Sequence, residues 1–479
     1  MIYVYITSRM QTFLASQFKR SDSSTRTQLL QLFAQLVALE SIEHTLLKSG
    51  RRFYRRLWCP VLTLWYLIWQ RLQLDHTLQA VVIDARRGAA DALRPHDKKP
   101  LSQRIRSTAT TAYCKARARL PLAWIKSSFS SLAQRLRQMG IAENQLELPI
   151  QLLDGSTERL RPHGDIPQKF PKHRTRRKKS YWCVARVVGI FCAHTGVALL
   201  AEMDSHHLSE QALSVRMLLA AVVRAITVGD RNFGVWRVVR AIKQSTGEAL
   251  VRLTSARARK LAAGRRLQDG LDLAVSWAPS AHDQVDPGLD KEPVSGRLVV
   301  ARVQRKGFRP QNLYLFTTLP VTTYPPQRLL AIYGLRWQVE VDFRTIKATM
   351  GLGQFEVKSA DLAQKEFYTG LIAYNLVRGL MGLAARTAGC APRQLSFATA
   401  RAQLVRALHI IWLAWVPESK RWEQWELLLN DVSHARLPRR KKPRPSEPRK
   451  QYHTPKSFPP MRSSRSQERQ QLKKLQMKS

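Results

Sequence analysis

The sequence predicts an α/β core set between helical segments, and three observations carry that prediction. From Leu146 to Asp230 the chain reads strand, strand, strand, helix, strand, an order that argues for an α/β core. Residues 1–145 and the stretch from Pro325 to about residue 430 place apolar side chains at the three-to-four spacing of helices. Between the core and that second helical region, residues 245–320 are strand-rich and irregular.

The first region contains "TRTQLLQLFAQLVALESIEHTLL" and "RIRSTATTAYCKARARLPLAWIKSSFSSLAQRL", both with helical periodicity. Its most apolar run, "WCPVLTLWYLIW" from Trp58, is too short to span a bilayer and follows "RRFYRR", so a buried helix is expected and a membrane is not. "MIYVYITSRMQTF" lacks the basic start and small-residue cleavage site of a signal peptide.

In the core, "LELPIQLLDGST" reads as a strand that ends on Asp154 and turns at Gly155 and Ser156. After the basic loop "KFPKHRTRRKKS" come "YWCVARVVGIFCA" and "GVALLAEM", joined through His194, Thr195 and Gly196, which predicts a hairpin. "SEQALSVRMLLAAVVRA" predicts a helix capped by Ser209, and "ITVGD" a short strand ending on Asp230. "EALVRLTS", "LVVARVQRKG" and "NLYLFTTLP" give the next region the character of a β insertion. The expected organisation is therefore a helical region (1–145), the core's first part (146–244), a β-rich insertion (245–320), the core's second part (321–385), a helical region suited to dimerisation (386–435) and a basic tail (436–479). The tail is poor in apolar residues and rich in Lys, Arg, Pro and Ser, a composition expected to stay disordered.

Charge narrows the function. Against 34 Asp+Glu stand 79 Lys+Arg, a net +45, and such a field attracts polyanions, nucleic acid foremost. The five cysteines, at 59, 114, 183, 192 and 390, form no Cys-x-x-Cys pair. Cys183, Cys192 and His194 fit no zinc module, and two cysteines on neighbouring buried strands is the plainer reading, with reduced thiols in a cytoplasm.

Three acids stand where chemistry would use them. Asp154 and Asp230 each close an expected strand, and carboxylates at such ends face a cleft, where two Mg²⁺ ions about 3.5–4 Å apart take oxygen ligands. A strand-end Asp also serves as a helix or turn cap. The third acid is Glu340, in "YGLRWQVEVDFRTIK". At about 100° per residue, Tyr333, Arg336, Glu340 and Lys347 fall within roughly 60° around one helix. A solvated face with an Arg336–Glu340 pair is one reading of this stripe. The other makes Glu340 a metal ligand flanked by phosphate-gripping donors: a guanidinium fork, an ammonium and a phenol.

Tyr-x2-Arg-x3-Glu-x6-Lys resembles the signature of the DDE transposases of the IS-four family of bacterial insertion sequences, and Tyr333, Arg336, Glu340 and Lys347 match it position for position. "LLDGST" and "VGDRNFG" resemble that family's two aspartate motifs, and "STATTAYCKARARLP" also has its look. The resemblance covers most of residues 55–385. It implies an RNase H-like catalytic core interrupted by a β insertion, with Asp154, Asp230 and Glu340 as catalytic and metal-binding triad. Tyr333, Arg336, Lys347 and Arg231 would contact DNA phosphate. Gly229 stands where the family has Ala. Base stacking on an aromatic of the insertion would fall to Tyr314, with Trp337 as the other candidate.

The implied activity is cleavage at the terminal inverted repeats and strand transfer into target DNA, with two Mg²⁺ ions and Mn²⁺ as a substitute. One metal would lower the pKa of the attacking water and the other would receive the leaving oxygen's charge. Partners would be double-stranded DNA and a second copy of the chain, in a bacterial, nucleoid-associated setting. The N-terminal helices would read the repeats, and "KHRTRRKK" would clamp phosphate. Tyr333 as a recombinase nucleophile lacks a supporting Arg/His cluster, since His163, His206 and His207 have no suitable spacing. The reading from another class is a basic DNA-binding protein without catalysis, for example an inactive transposase copy.

Overall fold

Pro60 starts a helix whose residues from Val61 to Leu72 are all buried, so the longest apolar run of the chain is an interior helix. The computed structural model describes residues 23–37, 57–89, 91–93, 99–140, 148–174, 179–222, 224–281, 283, 286–303, 311–413, 415–438, 463 and 465–476. Among them, no helix is long and apolar enough to cross a membrane. The N-terminal region holds α1 (Ser23–Val37), α2 (Pro60–Leu72), α3 (Leu78–Arg86), α4 (Thr111–Arg119) and α5 (Leu122–Gln138). "ALESIEHTLL" (residues 38–47) lies outside the described residues.

The core follows as β1 (Ile150–Leu160), β2 (Lys172–Arg174), β3 (Lys179–Cys192), β4 (Ala198–Ser205), α6 (Glu210–Leu219), β5 (Ile226–Gly229), α7 (Trp236–Gln244) and β6 (Glu248–Arg252). Then come α8 (Ser255–Ala262), β7 (Asp272–Trp277), β8 (Val294–Val303), β9 (Gln311–Thr317), α9 (Pro326–Gly334), α10 (Trp337–Arg344), β10 (Gln354–Phe355), α11 (Ala360–Ala388), α12 (Phe397–Ile411) and α13 (Glu418–His434). One mixed sheet runs β2-β3-β1-β5-β6-β9-β8-β7, with β4 on β3 and β10 on β1. β1, β5 and β6 are parallel neighbours, while β3 pairs antiparallel with β1 and β4 antiparallel with β3. This mixed sheet with its helices is consistent with an RNase H-like domain. The β3–β4 turn passes through Gly196, whose φ of 81° suits glycine, and Ser209 caps α6 by accepting from Ala212 N at 3.1 Å.

The strands expected as an insertion continue the sheet: β9 pairs antiparallel with β6, and β8 and β7 extend it outward. Because β6 pairs with β5, the core sheet runs to Arg252, past the boundary expected at residue 245. α11 is the hub of the helical layer, buried along most of its length. Its Glu366 accepts from Arg117 of α4 and from Arg71 of α2, the latter at 3.1 Å, and so ties two N-terminal helices to it.

Four expectations change. β1 does not end at Asp154; its ladder with β3 runs on to Leu160, so a local Asp-Gly-Ser turn signal yields to cross-strand pairing. Cys183 and Cys192 are buried on one strand, β3, rather than on neighbours. The stretch from Tyr333 to Lys347 is not one uniform helix. Leu335, Arg336, Gln338 and Val339 make three-residue hydrogen bonds, the tighter 3₁₀ pattern, and Thr345–Thr349 widens into a π turn. Finally, the tail contains a helix, Arg465–Gln476; "RSQERQQLKKLQ" is free of Pro and Gly and rich in helix formers. Most of the rest of the tail lies outside the described residues.

Candidate active site

Parallel pairing of β1 and β5 ends at Leu153 opposite Gly229, and the residue that follows each of them is an aspartate, Asp154 on β1 and Asp230 just past β5. Asp154 and Asp230 are thereby set at neighbouring positions of the sheet. The Asp154 carboxylate accepts from Gly155 N at 2.8 Å. Asp230 accepts from Asn232 N at 2.8 Å, the Asx turn that reverses the chain after β5. Gly234 closes that turn against β6, where a Cβ would come within 2.0 Å of the Arg252 carbonyl oxygen.

Glu340, in the first turn of α10, lines a cleft of about 360 Å³ together with Asp154, Ser156, Arg344 and Lys347. Arg336 binds the Glu340 carboxylate four residues away and stands 3.7 Å from Asp154. One guanidinium therefore connects two of the three expected acids. Asp230 does not line this cleft, but its charge acts on Asp154. Among the described residues, no group of three or more His, Cys, Asp and Glu side chains is arranged to hold a metal ion.

Electrostatics mark the place. Asp154 is pushed up to about 7, first by burial and then by the negative charges of Asp230 and Glu210, against the pull of Gly155 N–H and Arg336. Glu210 is raised too, by burial and by Asp230. This fourth acid is the residue that sequence reasoning missed. It opens α6, where an acid after a Ser cap reads as ordinary dipole compensation. Its carboxylate accepts from Asn232 Nδ2 at 2.6 Å.

The other expected residues separate. Tyr333 is 1% exposed and faces the core, so its phenol is not a surface donor for phosphate. Lys347 donates to the Thr157 carbonyl at 2.6 Å and stands 3.9 Å from the buried Glu158, at the cleft wall. Arg231 is exposed beside Asp230, its carbonyl accepting from Arg257 at 3.1 Å. Trp337 is 39% exposed at the start of α10, whereas Tyr314 is partly buried on β9, opposite Val300 and packed against the core. Of "KHRTRRKK", residues 175–178 lie outside the described residues; the flanks pair as β2 and β3.

Burial of Glu158 carries its own cost. Neither of its carboxylate oxygens accepts a hydrogen bond, and burial pushes it up to about 8 against the pull of Lys347 and Arg159.

Residues 145–376 match a family model described as the transposase DDE domain. Over 126 residues the chain is 33% identical to "Transposase InsG for insertion sequence element IS4" of Escherichia coli (strain K12). That alignment covers 26% of this chain and 27% of the relative, so it spans about a quarter of the relative's length.

Proposed function

We propose that this chain, which belongs to the DDE transposases of the IS4 kind through its central segment, binds the terminal inverted repeats of an insertion sequence, cuts DNA there and joins the ends to a target. The observation that carries the reading is the register of β1 and β5, which sets Asp154 beside Asp230, with Glu340 on the same cleft as Asp154. Carboxylate oxygens suit a hard divalent cation: Asp154 is raised first by burial and then by the negative charges of Asp230 and Glu210, and a bound cation would relieve that repulsion. Asp154, Asp230 and Glu340 would hold it. When bound, two such ions supply an activated water and stabilise the leaving 3′-oxygen.

The chain's own residues do the rest. Arg336 orients Glu340 and reaches toward Asp154, keeping the acids near one another. Lys347, on the cleft wall, and exposed Arg231 give phosphate its cationic contacts. Trp337 offers an exposed ring for base stacking three residues before Glu340, a better placed surface than Tyr314. The net +45 supplies affinity for double-stranded DNA, and holding two element ends together calls for a dimer.

A second reading, a DNA-binding protein without cleavage, is favoured by one observation: no ready metal-holding group of acids exists among the described residues. Incubation of the full-length protein with element-end DNA and Mg²⁺ separates the two. Strand cleavage that EDTA abolishes supports the transposase; specific binding without any cleavage supports the second reading.

A further inference from the structure

Side chains alternate between the two faces of β1, so Glu158 continues the row of Asp154 and Ser156 that lines the cleft. It differs from them in being sealed. Glu158 is 1% exposed, and neither carboxylate oxygen takes a hydrogen bond. Its nearest cation is Lys347 of the π turn, with Nζ 3.9 Å from Oε1. That is too far for a hydrogen bond, and the ammonium donates instead to the Thr157 carbonyl at 2.6 Å. Lys347 also lines the cleft, its side chain 32% exposed. One ammonium therefore stands between a buried acid and the open cleft.

Few charges surround Glu158. The adjacent Arg159 points to the opposite face of β1, over the Trp182 ring. Across the ladder on β3 stands the uncharged Ala185. On the cleft side are Lys347, Arg344, Asp154 and Glu340. Burial without a hydrogen bond favours the neutral acid, and Lys347 then keeps its full charge for an anion in the cleft. An ionised Glu158 would pair with that ammonium and cancel it.

We propose that Glu158 is a positioning residue for the phosphate contact of Lys347: its protonated carboxyl leaves the ammonium's charge to DNA, and its carboxylate competes with the phosphate. The proposal rests on the reading of Lys347 as a phosphate contact. Burial pushes Glu158 up to about 8, against the pull of Lys347 and Arg159, so the proton is held at neutral pH and lost as pH rises through that value. A phosphate beside Lys347 offsets the pull of that cation on Glu158, so DNA binding and protonation of Glu158 favour each other.

The test is affinity for duplex DNA carrying the element's terminal repeat, without divalent ions, at about pH 6.5 and about pH 9. Full-length wild type, Glu158→Gln and Lys347→Met are compared. Glutamine keeps the shape and cannot ionise. On going to the higher pH, wild type should lose about fivefold more affinity than Glu158→Gln, with a salt slope flatter by about 0.9, the loss of one phosphate contact. Lys347→Met should bind more weakly than wild type at the lower pH and lack the excess pH dependence. Parallel losses in wild type and Glu158→Gln, with Lys347→Met weakened, would overturn the proposal and leave the phosphate contact standing. Wild-type affinity in Lys347→Met at the lower pH would defeat the underlying reading, and the proposal with it. If Glu158→Gln melts below wild type at the lower pH, wild type against Lys347→Met decides: an equal loss with pH in those two would count against the proposal.

Discussion

Asp342 Oδ1 lies 2.8 Å from Arg378 Nη2, an ion pair sealed from solvent and two residues along α10 from Glu340. Arg393 adds a two-pronged contact to the same carboxylate at 2.9 and 2.8 Å, and Tyr374 donates to it at 3.1 Å. The helix that presents Glu340 is thus pinned to α11 and to the turn that follows it.

Removing that pin should be costly. Asp342→Ala leaves two buried guanidiniums without their anion, so a loss of about 3–5 kcal/mol is expected, read as a lower urea midpoint. An unchanged midpoint would mean that α10 is held by apolar packing alone.

Glu158 makes stability pH-dependent. Its folded value of about 8 lies above the ordinary 4.5, so the folded state keeps a proton that the unfolded chain releases. The stabilising effect is complete below pH 4.5 and is lost as pH rises through 8. Glu158→Gln should match wild type in acid and exceed it above pH 8 by on the order of a few kcal/mol. Parallel pH–stability curves for the two proteins would contradict this.

Gly155→Ala should damage the site more than the fold. The added methyl meets the flexible Glu210 side chain rather than backbone, so Glu210 swings aside and loses Asn232. Expected are a stability loss of about 1–3 kcal/mol and a larger fall in cleavage. Melting and cleavage measured on one preparation check it; full activity would show that the Glu210 contact is dispensable.

The local signals for the hairpin, for Ser209 as a cap and for the strand before Asp230 were legible because each depends on neighbouring residues. What the chain decides at long range was not. Asp154-Gly155-Ser156 has turn chemistry, but ten residues of pairing with β3 keep it extended. Tyr333 was grouped with Glu340 by assuming one uniform helix; the three-residue bonds at Leu335 and Arg336 break that helix, and Tyr333 is buried. Glu210 was hidden by its ordinary position, since its meaning lies in a contact with Gly155 across the fold. β7, "DLAVSW", escaped notice because it mostly alternates exposed and half-buried residues at the sheet's outer edge.

Salt should weaken DNA binding steeply, with a slope of about −0.9 in log K per neutralised phosphate. Truncation after Arg436 removes most of a tail that carries 15 Lys+Arg (counted from Arg436 to Lys478) against Glu447 and Glu468. The shortened protein should show a flatter slope and weaker binding to element and competitor DNA alike, with cleavage at element ends retained. Complete loss of cleavage in a folded truncation would assign the tail a direct part in the reaction.

The most direct test compares Asp154→Asn, Asp230→Asn and Glu340→Gln with wild type, assaying Mg²⁺-dependent strand cleavage and gel-shift binding of element-end DNA on the same preparations. All three variants should bind the DNA and none should cut it. Cleavage at the wild-type rate by any one of them would remove that acid from the centre, and cleavage by all three would contradict the account outright.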